Sequence, residues 1–389
     1  MLRFHLRNLS LLCVAGGRSC EGFVRLFYRE IVCKTLNPNT SSNSDPIASF
    51  LRNSCGLSPS AALTAAKKAN LKIAAKDDSV VHLLKDYGFD GAQIAIVAAK
   101  FPSLFFNSHP ERSIRPKLEF FLAAGFSRAF LIRLLCKDPQ IIKCSIQRRL
   151  SPNIDLVRFI LGGDIEAVTS AIMGSTWILR RNPEMQILPN LKTLRQHGVT
   201  HDNVARIFLW YPRLVTQEPA RFSKSVAFLK EIGPDPWKST FVPALNVACG
   251  LTQATWERKI QLYQSLGWSL EETISAFKRS PMCMLHSEEK VRKIMGFCTE
   301  NLKWGPAFLA SRPTLLSLSF EKRIVPRYAV FSRLEKMGIT GKNFSFSNVL
   351  ISSESTFLKK YVFNFKDQAQ ELLQAYNDKL KLTAFQVDL

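Results

Sequence analysis

The sequence is short of acid. Its 389 residues hold 31 Asp and Glu against 53 Lys and Arg, a net charge of +22. That excess favours phosphate backbones or anionic membrane surfaces as partners. Long apolar runs are also missing. The longest, Leu9 to Gly17, lies between Arg7 and Arg18 and falls far short of the ~18–20 residues that span a bilayer. A membrane-spanning protein is excluded. Nine cysteines, Cys13, Cys20, Cys33, Cys55, Cys136, Cys144, Cys249, Cys283 and Cys298, form no CxxC pair. They read as reduced, mostly buried thiols, with neither a disulfide framework nor a zinc site. Cys283 and His286 would need a second ligand cluster, and none is visible. His197 and His201 are separated by the loop signal of Gly198. No metal is expected.

Catalytic signatures are absent as well. There is no GxxxxGK[ST] loop, no GxGxxG after a strand, no GxSxG and no HExxH, and the acidic residues do not cluster as a two-metal site requires. Gly162-Gly163-Asp164 reads as a helix end followed by a new cap. The expectation is a protein without enzymatic activity, cofactor or small-molecule substrate.

The first residues have a composition of their own. Arg3, Arg7, Arg18, Arg25, Arg29 and Lys34 face only Glu21 and Glu30, and a Ser/Asn/Pro-rich stretch runs from Asn37 to Pro46. An Arg-rich, acid-poor, amphipathic start suits an organelle transit peptide. Residues 1–44 are read as that peptide and its linker, for the mitochondrion first and the chloroplast second. A secretory signal fits less well, because arginines continue past the apolar stretch and the cysteines are unpaired.

What the remainder does have is a period. LRNSCGLS, LLKDYGFD, FFLAAGFS, LRQHGVT, YQSLGWS and LEKMGIT align on Gly56, Gly88, Gly125, Gly198, Gly267 and Gly338, with weaker copies at Gly163, Gly233 and Asn301. Neighbouring anchors are 32 to 38 residues apart, a spacing of repeat architectures. Each glycine suits the left-handed residue that closes a helix. The apolar residue after it (Leu57, Phe89, Phe126, Val199, Trp268, Ile339) suits the hydrophobic contact of a Schellman ending. Next comes a cap for a new helix: Ser58, Asp90, Ser127, Thr200, Ser269 or Thr340.

Prolines supply the second mark. Pro102, Pro139, Pro212 and Pro281 each lie 14 residues beyond their anchor, and Pro313 lies 12 beyond Asn301. That spacing predicts a helix of roughly 10 residues stopped by proline. Apolar pairs follow: Leu104 and Phe105, Ile141 and Ile142, Leu214 and Val215, Cys283 and Met284, Leu315 and Leu316. They are suited to plug a short turn into the core. Pro116, Pro152, Pro189 and Pro326 are placed to begin the next helix. The predicted fold is all-α: an α-solenoid of about nine helical repeats over residues 45–362. A C-terminal helix and tail occupy 363–389.

In these marks the chain resembles the mitochondrial transcription termination factor (mTERF) family in its plant form. SFLRNSCGLSPSAALTAAKK, LLKDYGFDGAQIAIVAAKFPSLF, RPKLEFFLAAGFS and LLCKDPQIIKCSIQRRLSPNIDLVRFIL carry the likeness, which covers roughly residues 45–365. The resemblance implies repeats of two α-helices and a 3₁₀ turn stacked into a curved superhelix. It also implies a basic groove for nucleic acid, organelle targeting, and a role in organellar transcription or RNA processing. Two units depart from the pattern. Gly174 stands where proline is expected in the third, and Val247 in the fifth, which also holds the extra prolines of GPDPWKSTFVP. Both are expected to be distorted.

Basic residues recur in the repeat frame, 21 to 29 residues after the anchor. They are Arg112, Arg115 and Lys117; Arg148 and Arg149; Arg221 and Lys224; Arg258 and Lys259; Lys290, Arg292 and Lys293; and Lys322, Arg323 and Arg327. Equivalent sites near the start of the second helix would form a positive stripe that suits a phosphate backbone. Such contacts position a nucleic acid without reading its sequence. Some of these cations are expected to pair with Glu111, Glu257, Glu288, Glu289 or Glu321, and the aromatic residues to pack the core. The expected partner is DNA or RNA of the organelle, double-stranded DNA in transcription termination among the options, bound by a monomer. The alternatives are a protein-binding α-solenoid scaffold and a pentatricopeptide-like reader of single-stranded RNA.

Overall fold

A computed structural model describes residues 46–69, 78–107, 109–339 and 345–385. The proposed transit peptide, Cys13, Cys20, Cys33 and the cap residue Thr340 lie outside the described residues. Among those described there are only helices, and no strand. The chain falls into two compact units that divide between Ser151 and Pro152. Each is a stack of helical repeats.

The glycine anchors behave as left-handed helix ends at seven positions: Gly56, Gly88, Gly125, Gly163, Gly198, Gly267 and Gly338 all have positive φ. The amide after the glycine reaches back to the carbonyl five residues earlier, as from Phe89 to Leu84 (3.1 Å), Phe126 to Phe121 (3.1 Å) and Trp268 to Tyr263 (3.1 Å). These bonds satisfy carbonyls that a helix end would otherwise orphan. Two expected anchors are corrected. Gly233 is extended at φ −86°, because a loop and not a new cap follows it. Asn301 stays inside the helix Glu288–Leu302, and Lys303 takes the left-handed conformation at φ 55°.

New helices begin on the expected caps. Asp90 with Gln93, and Ser269 with Glu272, form reciprocal capping boxes. First helices of ten residues follow at Gly91–Lys100, Arg128–Lys137, Ile165–Gly174, His201–Trp210 and Leu270–Arg279. Beyond them, 3₁₀ turns occupy Pro139–Lys143, Leu214–Thr216, Pro281–Leu285 and Pro313–Ser317. Four of the five apolar pairs lie in these turns and the fifth, Leu104 and Phe105, in the short α-helix Leu104–Asn107; all five are buried.

The second proline lies inside its helix, which corrects the expectation that it starts one. Four second helices open with a π-helical turn, at Pro110–Ile114, Ile146–Leu150, Pro183–Ile187 and Phe320–Ile324, whereas Pro219–Ile232, Gln253–Ser265 and Glu288–Leu302 are α-helical from the start. The α-helical part then starts, with Pro116, Pro152, Pro189 or Pro326 as its second residue. Pro116 has no N–H to offer the Arg112 carbonyl, and its ring would crowd that oxygen. The helix widens for one turn, and the Arg115 amide bonds the Pro110 carbonyl five residues back.

Of the two irregular repeats the fifth is altered as expected, while the third keeps a ten-residue first helix, and its turn is a short α-helix, Trp177–Arg180, like Leu104–Asn107 in a regular repeat. Glycine is needed just before it, since a Cβ on Gly174 would lie 2.8 Å from Cγ of Pro212 in the next repeat. In the fifth, helix Phe241–Gly250 is followed two residues later by helix Gln253–Ser265, with no 3₁₀ turn between. At the C-terminal end, helix Ala369–Phe385 packs on Val325–Lys336.

The six described cysteines form no disulfide. Burial pushes the thiols of Cys55, Cys283 and Cys298 up to about 12, so they are protonated and inert near neutral pH.

Candidate nucleic-acid interface

The start of six second helices is fixed by a side-chain cap. Ser145, Asn182, Glu218, Thr252, Ser287 and Ser319 accept the amide three residues on, from Arg148 (3.2 Å), Met185 (3.1 Å), Arg221 (2.8 Å), Thr255 (3.2 Å), Lys290 (3.2 Å) and Lys322 (3.1 Å). In the first unit the His109 carbonyl takes the Arg112 amide at 3.2 Å. The cap thus sets a common register, whose third helical residue is basic at Arg112, Arg148, Arg221, Lys290 and Lys322. Unfilled amide donors and the positive end of the helix dipole lie beside it.

The fifteen cations expected at the site divide by what their side chains touch. Five are turned onto backbone carbonyls of the next repeat. Lys117 Nζ donates to Ile142 O, Lys259 Nζ to His286 O, Arg221 Nη2 to Cys249 O (3.1 Å) and Lys290 Nζ to Ser317 O (3.3 Å). Arg327 is the extreme case, with 0% exposure. Its Nη1 donates to Val349 O (2.7 Å), Leu350 O (3.1 Å) and Ser352 O (2.8 Å). The carbonyls that receive these bonds lie at the ends of first helices and turns, where intrahelical donors run out. Arg327 is sealed from solvent and cannot meet a phosphate, contrary to its expected place in the stripe. Burial lowers the ammonium pKa of Lys117, Lys259 and Lys290.

Three more are held by carboxylates. Arg115 pairs with Glu111 (2.5 Å), Arg258 with Glu288 (3.7 Å) and Lys293 with Glu321 (2.6 Å). These pairs are exposed, and such pairs are weak enough to exchange partners. Of the others, Arg112, Arg148, Arg149, Lys224, Arg292 and Lys322 are exposed, and Arg323 is half-buried.

Sequence reasoning missed two members of the tie set on the second helices. Asn153 Nδ2 donates to Arg181 O (3.0 Å), and Asn190 Nδ2 to Val215 O (3.1 Å) and Gln217 O (2.9 Å). The signal was present. Lys117, Asn153, Asn190 and Arg327 each directly follow the proline of their second helix. Where that register holds an apolar residue, as at Val226 and Met295, the third residue (Arg221 or Lys290) makes the tie instead.

Most aromatic rings pack the core, as in the stacked pairs Phe126–Phe130 and Tyr263–Trp268. Phe159, Trp177, Trp210, Trp237 and Phe363 are exposed exceptions. Among the described residues no three His, Cys, Asp or Glu gather where a metal could bind. His286 bonds Ser317 Oγ at 3.0 Å and is held down to about 4 by burial and by Lys290 and Lys259. No described helix is long and apolar enough to cross a membrane.

These features define a helical-repeat protein whose second helices begin with cations and whose repeats are tied through turn carbonyls. The sequence model of the mTERF family matches residues 81–249 and 191–358, and the chain belongs to that family. It is 21% identical to "Transcription termination factor MTERF15, mitochondrial" of Arabidopsis thaliana over 296 residues, 75% of this chain and 56% of the relative. It is 20% identical to "Transcription termination factor MTERF8, chloroplastic" of the same plant over 270 residues, 68% of this chain and 52% of that protein. The chain therefore spans about half the length of the curated relatives it matches.

Proposed function

We propose that this protein binds organellar nucleic acid through its phosphates and serves organellar gene expression, without chemistry of its own. The observation that carries this reading is the basic third residue of the second helices, at Arg112 and Arg148 in the first unit and at Arg221, Lys290 and Lys322 in the second. A cation there adds its charge to the helix N-terminus, so both attract an anion at one place. Arg149, Lys224, Arg258, Arg292, Lys293 and Arg323 supply further charge. Arg221 spends one of five guanidinium donors on Cys249 O and keeps others for a phosphate. The relatives' names support an organellar setting, one mitochondrial and one chloroplastic. With the Arg-rich first residues, the mitochondrion is the favoured compartment.

Measuring affinity for a mixed-sequence oligonucleotide across a salt series tests the reading. Each phosphate contact should contribute about 0.9 to the log–log slope for a duplex, or about 0.7 for a single strand. Arg148→Glu with Arg149→Glu should weaken binding for every sequence tried. A protein scaffold would instead show little affinity for nucleic acid and no response to these changes. Imaging of a full-length fluorescent fusion tests the compartment.

A further inference from the structure

Within the second unit, two side chains of one repeat converge on Ser317 of the next. Nε2 of His286 and Oγ of Ser317 share a hydrogen bond of 3.0 Å, and Lys290 Nζ donates to Ser317 O at 3.3 Å. Behind them, buried Lys259 donates from Nζ to the carbonyl of His286 itself. Ser317 is exposed, and His286 and Lys290 are half-buried. Two ammonium groups thus crowd one imidazole, which burial and these charges hold neutral down to about 4.

The charges of Glu288 and Glu321 reach Lys259 and Lys290, but both carboxylates are engaged elsewhere. Glu288 pairs with Arg258 (3.7 Å) and Glu321 with Lys293 (2.6 Å). Of the helices packed on the turn Pro281–Leu285, Phe241–Gly250 carries no charged side chain. The other, Leu270–Arg279, has Glu271 and Glu272 in its first turn and ends on Lys278 and Arg279, with Arg279 turned onto Ser311 O (3.1 Å). Burial keeps Cys283 and Tyr263 protonated. Like charges gathered at one place are stabilised by an anion between them. A phosphate has the matching parts. Its oxygens can accept from Lys290, which keeps two N–H groups beyond the tie, and from the Ser317 hydroxyl. An imidazolium N–H can then donate to that same hydroxyl. Lys290 is also a third-position cation with Lys322 one repeat further on, so a chain of phosphates suits the junction better than a lone carboxylate.

We propose that Ser317, His286 and Lys290 form one phosphate site of the nucleic-acid track, and that a backbone phosphate bound there brings a proton to His286. The inference rests on the phosphate-binding reading above and adds its regulation by pH. The phosphate's charge favours the imidazolium, so the bound protein holds a proton, taken from solvent, that the free protein does not. Affinity therefore rises as pH falls, by at most about tenfold per pH unit for one proton.

The test follows the histidine ring signals of the full chain by NMR, with a mixed-sequence oligonucleotide, with inorganic phosphate at the same ionic strength, and with neither. His286→Gln assigns the signal. The oligonucleotide should raise the His286 titration midpoint by about 1–3 pH units. In fluorescence anisotropy between pH 5 and pH 7, His286→Gln should flatten the rise in affinity that wild type shows toward low pH. Ser317→Ala should weaken binding about tenfold at pH 5 with the salt slope unchanged. Melting followed by circular dichroism checks that each variant is folded at each pH. A His286 midpoint that the oligonucleotide leaves in place would overturn the proposal, as would equal pH profiles in wild type and His286→Gln. A midpoint moved by inorganic phosphate and not by the oligonucleotide would assign the site to the free ion and overturn it too. The two readings fail differently. A steep salt slope beside a silent His286 removes this site alone, whereas the lack of any salt slope removes the phosphate contacts altogether.

Discussion

Arg327 and Glu354 meet at 2.8 Å across a repeat boundary, the guanidinium fully enclosed and the carboxylate half exposed. The same guanidinium holds three backbone carbonyls and lies 4.5 Å from the centroid of the Phe357 ring. Tyr376, on the C-terminal helix, donates its hydroxyl to the other Glu354 oxygen. One side chain thus links the last repeats to the terminal helix. Arg327→Ala should destabilise the protein by about 3 kcal/mol, chiefly by stranding buried carbonyls. Urea denaturation measures the loss. An Arg327→Ala protein as stable as wild type would contradict this role.

The divided cation set gives a contrast in binding. Replacing an exposed third-position cation, Arg148 or Lys322, by alanine should lower the salt slope by about one phosphate contact while leaving stability within about 0.5 kcal/mol. Lys117→Ala should do the reverse, lowering the denaturation midpoint and leaving the slope unchanged. Salt titrations and melts on the same three variants decide it. Equal slopes in all three would remove the third-position cations from the interface.

His286 should make stability pH-dependent. Its imidazole is held neutral in the folded protein down to about 4, whereas in the unfolded chain it takes a proton near 6.5. Between those values the unfolded state binds more protons, so stability falls as pH drops through this window. One such group contributes at most about 1.4 kcal/mol per pH unit. Denaturant midpoints measured from pH 7 to pH 4 should show a decline that His286→Gln flattens.

The glycine ends differ in what surrounds them. A Cβ on Gly267 would sit 2.9 Å from Cγ of Pro306, whereas Gly163 has nothing within 4 Å; both have positive φ. Gly163→Ala should cost about 1 kcal/mol, the left-handed backbone penalty alone. Gly267→Ala should cost about 1–3 kcal/mol more, because the next repeat must shift. Equal melting points would show that Pro306 yields freely.

What the sequence determined by itself was the repeat. Helix stops at Gly88, Gly125 and Gly267, caps at Asp90 and Ser269, and the buried pairs after Pro139 and Pro281 depend on interactions within a few residues, so they are written locally. The extended backbone of Gly233 was not legible, because the loop that follows overrides the glycine's own preference. Nor was the π turn before Pro116, since spacing locates a proline without saying whether a helix already surrounds it.

The tertiary structure alone decided which cations face water. Lys117, Lys322 and Arg327 look alike in sequence. Two of them reach orphaned carbonyls of the next repeat, between 22 and 25 residues along the chain, and Lys322 remains exposed. A side chain's partner across a repeat boundary depends on how two helices pack, and charge patterning along one helix carries no record of it.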